Sequence, residues 1–98
     1  MREFQIRKEF KKIAKHNKWI CWYPVRVRYH QCDIFTIADT ICFTAEGIKL
    51  IQLTTTSNLS ARRKKIKKFL KKLKFNKSCL IEVWAYDSQK HIFKIETI

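Results

Sequence analysis

IFTIADTICFTAEGIKLIQLTT, residues 34–55, reads as two β-strands joined by a tight turn. β-Branched and aromatic residues dominate both arms, and Glu46 and Gly47 supply the connection, so a hairpin with strands over 34–44 and 48–55 is predicted. The second arm carries Ile48, Leu50, Ile51 and Leu53, which places apolar side chains on both of its faces. A strand of that kind belongs in the middle of a sheet, covered on either side.

Working outward, residues 3–17 form an amphipathic helix. Ile6, Phe10, Ile13 and Ala14 recur at helical spacing, and Arg7, Lys8, Lys11, Lys12 and Lys15 take the other face. Residues 19–29 are rich in aromatic and β-branched types and read as a strand, with Pro24 marking an edge, a bulge or a break. Beyond the hairpin, Ser57 and Asn58 are capping residues for a second helix over 59–75. Its apolar stripe is Leu59, Ile66, Phe69, Leu70 and Leu73. Strands over 79–86 and 91–97 close the chain. The order α-β-β-β-α-β-β, with helices that each bury one face, predicts a single α/β domain over 1–98: a central mixed sheet flanked by helices.

Composition bounds the function. Ninety-eight residues make one domain, and a 46% apolar fraction is enough for a core. Lys and Arg number 22 against 8 Asp and Glu, a formal charge of +14, which says little about fold and much about partners. Polyanions are attracted and held by counterion release, nucleic acid foremost and an anionic membrane surface second. Cys21, Cys32, Cys42 and Cys79 lack the spacing of zinc clusters or disulfide frameworks, so buried free thiols are expected. Charges run throughout residues 1–18, and no apolar run is long enough to span a bilayer. A cytoplasmic, intracellular protein without a membrane partner is therefore expected.

Two breaks in the apolar pattern fall side by side in the hairpin. Strand alternation puts Asp39 on the face of Phe35, Ile37, Ile41 and Phe43, where a carboxylate is costly unless paired or ligated. Gln52 and Thr54 share a face of the next strand. Together they make an oxygen-rich cluster of the kind hard cations take. The same pattern also suits a bend residue bonded to backbone, with Gln52 and Thr54 satisfying each other.

Asp39, the turn at Gly47, Gln52-Leu53-Thr54 and a basic helix with Arg62 and Lys65-Ile66 resemble the PD-(D/E)XK nuclease superfamily. The likeness is strongest to its Holliday-junction-resolvase and VRR-Nuc branch, and it covers residues 34–86 and the preceding helix. It implies a restriction-endonuclease-like α-β-β-β-α-β core with an Asp on the second strand and Glu or Gln-x-Lys on the third. It also implies a DNA-binding, Mg²⁺- or Mn²⁺-dependent endonuclease that hydrolyses phosphodiesters of branched or duplex DNA, often as a homodimer. Asp39 and Gln52 then hold the metal, and Asp39, Gln52 and Thr54 occupy the catalytic positions. The pattern departs from the family at Ala38, in place of proline, at Gln52, in place of the acid, and at Thr54, in place of the lysine. Arg62 or Lys65 is the replacement cation to look for, since alternation turns Lys49 to the other face. Glu3 or Glu9 is a further ligand candidate.

Nine Lys or Arg in residues 62–74 exceed what solvation requires, so Arg62, Arg63, Lys64, Lys65, Lys68, Lys71 and Lys72 are assigned to phosphate contact. Arg26, Arg28 and the basic face of the first helix extend that surface. Trp19, Trp22, Tyr23 and Tyr29 either stack on bases or pack, and Trp84 and Tyr86 pack. Two alternatives stand beside the nuclease: a catalytically inactive nuclease-fold protein that binds or scaffolds DNA, and a basic module for RNA or an acidic protein.

Overall fold

A computed structural model describes residues 3–24, 34–35, 37–73 and 79–98. Among these residues, two helices sandwich a five-stranded mixed sheet. The order along the chain is α1 (Glu3–His16), β1 (Ile20–Trp22), β2 (Thr40–Thr44), β3 (Gly47–Thr55), a 3₁₀ turn (Thr56–Asn58), α2 (Leu59–Leu73), β4 (Leu80–Asp87) and β5 (Ile92–Thr97). In space the strands lie β1-β2-β3-β4-β5. Neighbours are antiparallel except β3 and β4, which run parallel with α2 as their crossover.

The alternation of β3 explains the layers. Leu50 packs with Leu59 and Ile66 of α2, and with Ile81, Val83 and Ala85 of β4. Ile51 and Leu53 turn the other way and pack with Ile6, Phe10 and Ala14 of α1, and with Trp84 and Tyr86. One strand therefore feeds two cores, which is why it reads as apolar on both faces. On the α1 side the core is aromatic, with Phe10, Trp19 and Phe93 set around Trp84 at centroid distances of 5.0–5.8 Å.

Helix α1 stops where the sequence places Asn17. Lys18 adopts a left-handed φ of 59°, Trp19 N–H donates to the Ala14 carbonyl at 2.9 Å, and Lys18 N–H donates to Lys15 at 3.1 Å. These two bonds satisfy carbonyls that the helix end would leave bare. Gly47, at φ 120°, closes the β2–β3 turn, a region of backbone space that L side chains rarely adopt.

Three expectations need correction. The second strand begins at Thr40, not residue 34. Phe35 takes φ 52°, and Ile34 and Ala38 close a tight loop through an isolated bridge, so extended backbone cannot run through it. Phe35 is exposed. Among the described residues the first strand is Ile20–Trp22, with Trp19, Tyr23 and Pro24 irregular; residues 25–29 of its expected range lie outside the described residues. Cys21 and Cys42 are not free thiols. They are register partners on β1 and β2 and form a disulfide, while Cys79 is free. Spacing missed this because the pairing follows from strand register, not from sequence distance.

Candidate metal and nucleic-acid site

Asp39 immediately precedes β2, and the register Thr40↔Ile51 brings it opposite Gln52 on β3. Gln52 Nε2 donates to Asp39 Oδ2 at 2.7 Å, and the Leu53 backbone N–H donates to the same oxygen at 2.7 Å. Nε2 also reaches the Leu53 carbonyl at 3.2 Å. Thr54 follows two residues along the same strand face. All three side chains are buried, at 3%, 5% and 7% exposure. Among the described residues neither Gln52 Oε1 nor Thr54 Oγ1 meets a hydrogen-bond partner, although both residues are buried. Buried polar atoms normally find partners, so these two oxygens, on the strand face that carries Asp39, make a buried polar cluster.

This cluster lies on the α2 side of the sheet. Gln52 and Thr54 pair across β4 with Val83 and Ala85, the α2-side residues of that strand. Helix α2 begins four residues after β3 ends, so its first turns rise from the same end of the sheet as Thr54. The two arginines of those turns differ in what they hold. Arg63 Nη1 donates to both carboxylate oxygens of Glu96 on β5, at 2.7 and 2.9 Å. That guanidinium holds the Glu96 carboxyl below the ordinary glutamate range. Arg62, about 100° round the helix from Arg63, is half-buried. It makes no ion pair among the described residues. Lys64, Lys65, Lys68, Lys71 and Lys72 project into solvent. Arg26 and Arg28 lie outside the described residues.

Lys49 is turned away from the cluster, as alternation predicts. Its Nζ meets Glu82 Oε2 at 3.3 Å and Glu46 Oε1 at 3.1 Å, and stands 5.0 Å from the centre of the Trp19 ring. Burial alone would lower the Lys49 pKa, but the two carboxylates outweigh it and the net shift is upward. Glu82 in turn accepts from Trp84 Nε1 at 2.9 Å. This buried pair went unrecognised in the sequence. Its signal is Glu82 itself, a charge inside the apolar run of β4. The pair borders a cavity of about 500 Å³ that also contacts Trp19, Trp84 and Phe93, on the sheet face opposite Asp39.

Of the other residues read from sequence, Trp84 and Tyr86 pack as expected. Trp19 joins their cluster. Tyr23 lies under Arg7 and Lys11, with the Lys11 ammonium 4.7 Å from its ring centre, and Trp22 is exposed. Glu9 is paired with Lys12 at 3.2 Å and borders the α1-side cavity, so it is remote from the Asp39 cluster. Among the described residues no three of His, Cys, Asp and Glu gather as a metal site, and no helix is long and apolar enough to cross a membrane. No family model, no curated protein and no solved structure matches this chain.

Proposed function

We propose that this protein binds DNA along α2, and that the cluster formed by Asp39, Gln52 and Thr54 takes a divalent cation beside the bound backbone. The observation that carries the reading is the joining of Asp39 to Gln52 across two strands, with buried oxygens left over. The donor set fits Mg²⁺ or Mn²⁺: a carboxylate, an amide oxygen and a hydroxyl, with water completing a shell that Mg²⁺ ordinarily keeps partly hydrated. A cation held there supplies Lewis-acid polarisation of a phosphate oxygen. The chain's own residues orient the site: Leu53 N–H fixes one Asp39 oxygen, and the α2 lysines hold the duplex by its phosphates without reading sequence. The order α-β-β-β-α-β, with the acid at the start of the second strand and the amide on the third, agrees with the PD-(D/E)XK resemblance and supports a restriction-endonuclease-like core.

A second reading is favoured by Thr54. The family's lysine position holds a hydroxyl, Lys49 faces the other core, and Arg63 is engaged by Glu96. The protein then binds or scaffolds DNA without cutting it.

Labelled duplex, single-stranded and four-way-junction DNA, incubated with wild type and Asp39→Asn in Mg²⁺ or Mn²⁺, separate the two. Cutting that needs metal and disappears in Asp39→Asn is the nuclease outcome; binding with no cutting supports the scaffold. The metal site has its own readout. Mn²⁺ should raise the thermal midpoint of wild type and leave that of Asp39→Asn unmoved. An equal rise in both, or none in either, removes the metal from the cluster. Absence of DNA binding by wild type at low salt removes the proposal entirely.

A further inference from the structure

The two basic helices were expected to form one surface, and the fold sets them back to back. Leu59 and Ile66 of α2 pack on one face of the sheet, and Ile6, Phe10 and Ala14 of α1 pack on the other. The outer faces of these helices therefore look in opposite directions. On α1, Lys8, Lys12 and Lys15 form a solvent-exposed stripe, with Lys11 and Lys18 beside it. On α2, Lys64, Lys65, Lys68, Lys71 and Lys72 form the other.

Among the described residues one stripe lysine, Lys12, meets an acid, and the other lysines of both stripes have no carboxylate partner. Among the described acidic side chains Asp39 and Glu82 are buried, and Glu46 and Glu96 are committed to Lys49 and Arg63. Glu9 takes Lys12 of the α1 stripe and leaves Lys8 and Lys15 open, and Asp87 accepts from the backbone of its own turn. Each helix axis stands on the order of 10 Å from the sheet it covers, in a body measuring 35 × 31 × 29 Å. The stripes are thus separated by more than the Debye length of about 8 Å at physiological salt. Phosphates bound on one face screen the other very little, and a straight segment lying on α2 cannot touch α1.

We infer that α1 is a second, independent DNA-binding face, so that one molecule bridges two separate duplex segments. The inference rests on the proposed binding of DNA by α2 and adds a second partner on the opposite side. Lys8, Lys12 and Lys15 span about 10 Å of helix, enough to follow several successive phosphates.

The test loads protein onto an immobilised duplex, washes, and adds a fluorescent duplex of unrelated sequence. Wild type should capture the second duplex. The triple variant Lys8→Gln, Lys12→Gln, Lys15→Gln should remain on the first and lose capture by about tenfold or more. At roughly 0.9 per lost phosphate contact, the log–log salt slope of capture should fall by about 2.7. Glutamine is close to lysine in helix propensity, and circular dichroism checks that α1 is retained. Wild type that holds the first duplex and captures no second overturns the inference and leaves α2 binding intact. Capture by the triple variant at the wild-type level also overturns it, because bridging then comes from self-association. Wild type that does not stay on the first duplex overturns the α2 reading itself.

Discussion

Arg63 illustrates how a single side chain can leave the role its neighbours suggest. In sequence it is one cation in a run of nine; in the fold it closes a two-point bond to Glu96 on the far edge strand. Glu96 titrates below the ordinary glutamate range because of that bond. A depressed carboxyl contributes stability that is present above its unfolded pKa and is lost as pH falls through the folded one. Wild type should therefore lose stability on acidification below the ordinary glutamate range. Arg63→Gln should be less stable at neutral pH and should flatten that acid limb, as read by urea denaturation across pH; an unchanged limb would assign the acid dependence elsewhere. The partnership of Asp39 with Gln52 was legible, because alternation and a short hairpin fix which side chains face each other. That of Lys49 with Glu82 was not, because the register of a parallel pair is set by a distant crossover and no local rule supplies it.

At the scale of elements, β3 and both helices were readable from periodicity, and their observed bounds differ from those expected by a few residues at most. The 34–44 strand failed because Phe35 breaks the extended path with a conformation that no pattern of apolar residues announces. Strand β1 is short, lies at the sheet edge and exposes Ile20 and Trp22, so little apolar burial holds it. The Cys21–Cys42 bond and the Thr40 hydroxyl on the Trp22 carbonyl, at 2.9 Å, supply the attachment. Reduction, or the pair Cys21→Ser with Cys42→Val, should cost about 2–4 kcal/mol. Amide exchange should then rise at residues 20–22 while β3 and β4 stay protected. Equal stability with and without reductant would mean that the bond carries no part of the fold's stability.

For the whole molecule, a charge of +14 acts in two opposite senses. Self-repulsion disfavours the compact chain, and the eight cations of α2, with no acid among them, disfavour that helix through like charges one turn apart. Salt screens both, so the thermal midpoint of the free protein should rise between low and moderate NaCl. Duplex affinity should fall over the same range, with a log–log slope near −0.9 for each phosphate contacted. Two curves of opposite sign, from thermal melts and from anisotropy titrations, identify charge as their common cause. A duplex affinity that barely changes with salt would remove phosphate contact from the account.

Helix α2 also lies in the crossover from β3 to β4, the parallel joint among the described strands. The other strand pairs are antiparallel, and the β2–β3 and β4–β5 arms close through local turns. The β3–β4 joint pairs strands separated by the crossover and carries the larger loop-closure cost, so it should form late in assembly. A polyanion seated on α2 therefore holds the very segment whose release would let the two halves of the sheet part. Bound DNA should act as a kinetic latch, slowing unfolding more than it speeds folding.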